Sequence, residues 1–329
     1  MVEPERVREA VGWAVGELRA RGLSLLSAPE TVRTMPWSAV TRLDTEGGAF
    51  FLKTSARGFT REAEVIRVLA GLGVRHMTEV AAASSRLGAF LMPDAGVPFR
   101  TVIGTAADEG IIRRTLEAYA DLQIAASGVT DRLFSIGVPD RRLSRLPRLL
   151  AELVESGILR DFDRAAEDDV AELKDSFRIV AELCERLEDL GLPETLEHSD
   201  FHDNNVLVKG GEVTISDHEA VSVSHPFFSL ASFAYSLRLR LPPELFTPRN
   251  RAARDAYLGR WAEHAGRPVL EEAADIADAL SPIVYALGFQ NLVERLPADE
   301  VDSYRGNMMT ALRSVGQLAA TVPASACAR

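Results

Sequence analysis

Four of the six histidines, His198, His202, His218 and His225, fall within a single short stretch. Asp200, Asp203, Asp217, Asn204 and Asn205 stand among them, in the string HSDFHDNNVLVKGGEVTISDHE. Such crowding of proton-transferring and cation-binding side chains beside apolar runs marks a site. Residues 206–208 and 212–215 flank Lys209-Gly210-Gly211, and a Gly-rich turn between short apolar runs reads as a β-hairpin. The open ends of a hairpin meet, so Asn205 belongs beside Ser216 and Asp217, with Asp200 in the loop leading in. Two carboxylates and an amide oxygen then converge. Hard oxygen donors of this kind suit Mg²⁺ shared with substrate phosphates.

Two other readings stand beside this one. His198 and His202 are four apart, the spacing of two zinc or iron ligands on a helix. The string Ser-Asp-Phe-His-Asp-Asn-Asn is a poor helix and a good loop, so that argument fails. The block could also be an inert, hydrogen-bonded polar loop.

A lysine upstream weakens the inert reading. Of 37 basic residues only Lys53, Lys174 and Lys209 are lysine. Arginine cannot replace lysine where a compact, rotatable ammonium is needed. Lys53 closes the second strand of a hairpin, and Glu62 and Glu64 follow on the next helix. A strand lysine steadied by a helix glutamate presents its ammonium to phosphate oxygens. A surface lysine on a sheet edge is the plainer explanation of that one feature.

The elements that must position these groups can be read from periodicity. Residues 3–21 form an amphipathic helix. Residues 37–54 hold two β-rich runs around Glu46-Gly47-Gly48. Residues 60–73 return to helical spacing and stop at glycine. Short strands are expected near 79–82 and 88–92, then a turn at 93–96. Residues 1–95 therefore make a small mixed lobe. Beyond residue 100 the pattern is helical at 111–126, 146–155 and 170–190. A β island interrupts at 206–216. Helices resume from 227 to the end, with a break at Pro242-Pro243. The expected fold class is α+β, with two units, 1–95 and 96–329.

The chain's 329 residues suit two such units. A net charge of −11 argues against a nucleic-acid partner, which would need a basic footprint. Cys184 and Cys327 make no disulfide framework, and Cys184 reads as a buried thiol on an amphipathic helix. The N-terminal segment has no apolar signal core, and no run approaches the ~20 apolar residues of a membrane span. A reducing cytoplasm and no membrane partner are the expectation.

In this order, the features resemble a protein-kinase-like phosphotransferase, and more narrowly the aminoglycoside phosphotransferase and choline kinase group. The group's His-Gly-Asp string, with Asn five residues after the Asp, stands here as His198-Ser199-Asp200 with Asn205. Its second motif stands as Ile215-Ser216-Asp217-His218-Glu219. The resemblance covers roughly residues 30–320. It implies a bilobal kinase fold, with the N-terminal lobe holding ATP or GTP. It makes Asp200 the catalytic base and gives Asn205 and Asp217 to Mg²⁺. It puts Lys53 on the α- and β-phosphates, with Glu62 preferred over Glu64 as its partner. Met92 and Asp94, in the segment 90–96, are implied at the nucleotide base. His198, His202 and Glu219 support the loop. No Walker A or G-x-G-x-x-G loop is present. The turn at residues 34–39, with Ser38, is the candidate phosphate-facing turn.

The departures are Ser199 for glycine, Asp203-Asn204 for Pro-Gly, and His225 and Ser229 at positions that are usually acidic. The acceptor is a small hydroxyl-bearing molecule, and the protein a monomer or homodimer. An antibiotic with a sugar or nucleoside part, and a role in resistance or self-resistance, is the leading expectation. A metabolic kinase for choline, a hydroxy-amino acid or a glycated amine is the alternative, and a non-catalytic nucleotide binder the third. Glu271, Glu272, Asp275, Asp278 and Glu294 read as a solvated helix face rather than an acidic pocket. Phe227, Phe228, Tyr235, Tyr285, Phe289 and Tyr304 read as core.

Overall fold

The computed structural model describes residues 2–104 and 108–318. Cys327 lies outside the described residues. The first helix, α1 (Pro4–Ala20), opens with proline at its first turn, where a missing N–H costs nothing. It lays Ala10, Ala14 and Leu18 on Leu43, Leu52 and Leu91 of a sheet. That sheet holds β1 (Glu30–Met35), β2 (Ser38–Thr45), β3 (Gly48–Ser55), β4 (Ala82–Ser84) and β5 (Ala89–Pro93), with α2 (Glu62–Ala70) between β3 and β4. The strand order is β1-β2-β3-β5-β4, antiparallel throughout.

The β2–β3 hairpin turns where Glu46-Gly47-Gly48 predicts it. Gly48 sits at φ +113°, a conformation L side chains rarely adopt. Strand β1 carries no legible signal, because it is exposed along nearly its whole length and has no buried face to alternate with. Strand β4 lies a few residues later than the expected 79–82.

The rest is mainly helical. Strand β6 (Val97–Pro98) leads to α3 (Asp108–Ala126), α4 (Thr130–Ser135), α5 (Leu146–Glu155), α6 (Ile158–Asp161), α7 (Glu167–Asp175) and α8 (Phe177–Asp189). The single helix expected at 170–190 is two. Buried Ser176 separates them, and its hydroxyl donates to Leu173 O at 2.7 Å, competing with the helix backbone. Four short strands follow: β7 (Thr195–Glu197), β8 (Val206–Lys209), β9 (Glu212–Ile215) and β10 (Ser222–Ser224). Strand β8 pairs with β9 and β6, and β10 pairs with β7. Strands β6, β7 and β10 are too short to show a period.

The chain ends its described part with α9 (Phe228–Arg238), α10 (Pro243–Arg260), α11 (Arg267–Arg295), α12 (Ala298–Val301) and α13 (Asn307–Gly316). Pro242-Pro243 breaks the pattern as expected and starts α10. Helix α11 corrects one expectation: by length and composition it could cross a membrane. Its buried face, including Leu270, Ala277, Ile283 and Leu287, belongs to the large core, with α9 and α13 packed against it. Cys184 is buried on α8 as expected, and burial pushes its thiol up to about 12.

Candidate active site

The floor of the site is the chain that leaves β7 after Glu197. His198 is fully buried, and its Nε2 meets Ser216 O at 3.0 Å. Ser199 takes φ +60° and Asp217 φ +63°, both left-handed and uncommon for residues with a side chain. Ser216 N donates to Asn205 O at 2.9 Å, and Val206 pairs with Ile215. The hairpin thus places Asn205 beside Ser216, as its open ends require.

Asp200 stands clear of this packing, with its side chain 46% exposed. Two neighbours aim it. Asn205 Nδ2 donates to its Oδ2 and to its carbonyl, each at 3.0 Å. His202 Nε2 lies 3.3 Å from its Oδ1. His202 Nδ1 accepts from Asn204 N at 3.1 Å, so Nε2 carries the proton toward Asp200. Burial pulls the His202 pKa down, but Asp200 outweighs it and the net shift is upward. Asn205 Oδ1 has no hydrogen bond among the described residues and remains free as a donor to a cation.

Lys53 projects from β3, between Val40 of β2 and Phe90 of β5. Its Nζ is 2.6 Å from Glu62 Oε2 and 2.6 Å from Asp217 Oδ1. Burial pulls the ammonium down, and the two carboxylates more than offset this, so its pKa is raised. Glu62 Oε1 accepts from His218 N at 3.0 Å, and Glu219 Oε2 accepts from Glu62 N at 3.1 Å. The start of α2 is thereby locked to the turn after β9. Burial, then the Glu62 carboxyl, pushes Glu219 up to about 7.

A cavity of about 660 Å³ opens beside these groups. Its wall includes Ser38, Lys53, Glu62, Met92, Asp94, Asn205 and Asp217. Asp94 is bonded through both its main chain and its side chain. Its N–H bonds Ala49 O, its carbonyl takes Lys209 Nζ at 2.9 Å, and its carboxylate binds Gly96 N and Lys209. Its main-chain groups are therefore committed within the protein. Asp203 is likewise fully buried against Arg100 at 2.9 Å, away from the cavity.

Sequence reasoning missed Arg33 in the same wall and reached Trp37 only as part of the turn at 34–39. It also misjudged two aromatics. Phe227 and Phe228 are core, but Tyr235 and Tyr285 are exposed at 51% and 38%. The ring of Tyr285 packs on Phe289, Phe289 on Tyr304, and Tyr304 on Trp37. Burial, then the charge of Asp200, raises Tyr285. Burial raises Tyr304 too, with Arg33 opposing it and Asp200 adding to it. The four rings thus form one chain of contacts, from Tyr285 on α11 to Trp37 in the cavity wall. The helix acids, by contrast, are largely paired: Glu271 with Arg267, Glu272 with Arg186 and Asp275 with Arg254.

Solved structures share this arrangement of lobes. A choline kinase from Cryptosporidium parvum is 12% identical with a TM-score of 0.64, covering 94% of this chain and 96% of that one. A choline/ethanolamine kinase family protein from Mesorhizobium loti is 17% identical with a TM-score of 0.58, covering 93% and 98%. A thermostable mutant of an aminoglycoside phosphotransferase, solved with AMP-PNP and hygromycin B, is 18% identical with a TM-score of 0.55, covering 92% and 98%. At these identities the likeness is one of fold. No curated protein matches the chain significantly.

The model of the phosphotransferase enzyme family (APH) matches residues 35–269, a span that takes in the sheet around Lys53 and both motifs around Asp200 and Asp217. With most of its length under that match, the chain belongs to the APH phosphotransferase family and is a small-molecule kinase of the protein-kinase-like fold.

Proposed function

We propose that this protein transfers the γ-phosphoryl group of ATP or GTP to a hydroxyl of an antibiotic bearing a sugar or nucleoside part, and so confers resistance. The observation that carries the reading is the aimed, exposed Asp200 carboxylate beside the Lys53–Asp217 pair. Residues 1–95 hold the nucleotide, and residues 96–329 bring the base and the acceptor.

Phosphoryl transfer needs positioning and charge neutralisation more than covalent help from the protein. Lys53 meets the α- and β-phosphate oxygens. Glu62 keeps its ammonium in place when Asp217 turns to other work. Met92 meets the nucleotide base, and Ser38 faces the phosphates from the start of β2. Asp200 accepts the hydrogen bond of the acceptor hydroxyl and takes its proton as the oxygen attacks. A base in this role must be within hydrogen-bond reach, not strongly basic. His202 and Asn205 fix its two oxygens, and His198 and Glu219 hold the loop and turn behind them.

The donor set fits Mg²⁺. Among the described residues no cluster of three His, Cys, Asp or Glu forms a complete metal site. The free Asn205 Oδ1 and the Asp217 carboxylate would hold Mg²⁺ with two hard oxygens, a set that leaves room for phosphate oxygens and water. When bound, Mg²⁺ neutralises phosphate charge.

The exposed rings of Tyr235 and Tyr285 support an acceptor with a flat or apolar face. The pairing of Glu271, Glu272 and Asp275 with arginines speaks against a site built for a polycation. The same rings would also attract a methylated ammonium, which favours a choline-type metabolic kinase as the second reading. Incubation of a panel of hydroxyl-bearing antibiotics and metabolites with MgATP or MgGTP, read by mass, decides. One added phosphate on a sugar- or nucleoside-bearing antibiotic is expected. Phosphate on choline or a glycated amine alone would replace this reading with the second.

A further inference from the structure

Glu197 is 1% exposed and precedes the catalytic loop. Its carboxylate accepts four hydrogen bonds: at Oε1 from Ser199 N (2.7 Å) and Ser229 Oγ (2.9 Å), and at Oε2 from Ser199 Oγ (2.5 Å) and Ser222 Oγ (3.2 Å). Ser229 Oγ also accepts from His198 N at 3.0 Å, and with its one proton given to Glu197 it takes the proton of Tyr119 Oη at 2.9 Å. Buried Arg141 supplies a positive charge, its Nη1 donating to Ser199 Oγ at 3.1 Å. Three elements, β7, β10 and α9, thus meet on one side chain. Two departures noted in the sequence, Ser199 and Ser229, meet there too.

Ser199 is held at φ +60°, where glycine sits freely and a residue with a Cβ is strained. Such strain persists only where the surroundings over-determine it. Glu197 grips the residue twice, through its N–H and its hydroxyl. The next residue is Asp200. Released from this grip, Ser199 would relax toward negative φ and swing Asp200 away from the Asn205 and His202 contacts.

We propose that Glu197 is a positioning residue for catalysis, a buried carboxylate that holds Ser199 in the left-handed conformation and so aims Asp200. The proposal rests on the reading of Asp200 as base. It predicts a specific rescue. Glu197→Gln lowers kcat by roughly tenfold or more, since a misplacement of about 1 Å can cost 10²-fold, while nucleotide KM changes little. Adding Ser199→Gly to that variant returns kcat to the level of the Ser199→Gly single variant, because glycine needs no clamp. Wild-type kcat in Glu197→Gln, or no rescue by glycine, overturns the proposal.

A second pair leaves Glu197 in place and serves if Glu197→Gln does not fold. Ser199→Ala should lower kcat more than Ser199→Gly, and equal values overturn the clamp. Asp200→Asn measured alongside separates the two ideas. Transfer by that variant defeats the base assignment, whereas a missing glycine rescue or equal Ser199 variants defeat the clamp.

Discussion

Lys53 on β3 and Glu62 at the start of α2 form a 2.6 Å ion pair, with side chains only 7% and 3% exposed. Breaking one side of a buried pair is costly, because the remaining charge keeps its desolvation without its partner. Lys53 must also serve two carboxylates, so a point charge on a flexible stem suits the position better than a planar fork. Lys53→Arg should raise nucleotide KM at least about tenfold and lower kcat, as a steady-state titration with MgATP would show. Glu62→Gln should do the same more mildly, since its amide oxygen can still accept from Lys53.

The choice of Glu62 over Glu64 came from the family-like order Phe59-Thr60-Arg61-Glu62, and it is Glu62 that pairs with Lys53 while Glu64 is exposed. The meeting of Asn205 with Ser216 was legible because a hairpin leaves no other arrangement. What could not be read is what depends on distant chain. Glu197 finds Ser222 and Ser229 only after β10 and α9 have folded onto β7. Strand β1 owes its existence to pairing with β2 rather than to any hydrophobic period. Tyr235 and Tyr285 have the composition of core residues, and only helix packing turns them outward.

Those outward rings give a test of where the acceptor sits. Tyr285→Ala should raise acceptor KM and leave nucleotide KM unchanged, because Tyr285 feels the charge of Asp200 and is not part of the cavity wall around Lys53. A change in nucleotide KM alone would move the acceptor elsewhere.

His225 sets an acid limit on stability. It is fully buried between Phe227 and Phe228, and burial pushes it down to about 3. In the unfolded chain it titrates near 6.5. The unfolded state therefore binds the extra proton first. Its contribution is complete above about pH 6.5 and is lost as pH falls toward 3, at about 1.4 kcal/mol per pH unit. Urea unfolding at pH 7, 6 and 5 should show a shallower decline in His225→Gln than in the wild type.

The loop also leans on a ring stack. Phe201 is fully buried, 4.2 Å from Tyr119 and 4.9 Å from Phe233 between centroids. Phe201→Ala should cost about 3–5 kcal/mol in urea unfolding, the usual range for a large buried ring. A cost below 1 kcal/mol would mean the loop does not depend on that stack.

The central claim is that Asp200 takes the proton while Lys53, Asn205 and Asp217 hold the nucleotide. Asp200→Asn keeps the size and most hydrogen bonds of the side chain but removes the base. Phosphate transfer to the acceptor found in the panel, measured beside direct MgATP binding by titration calorimetry, tests this most directly. The account predicts transfer reduced at least about 100-fold with nucleotide affinity within a few fold of wild type. Undiminished transfer, or a loss of nucleotide binding as large as the loss of transfer, would contradict it.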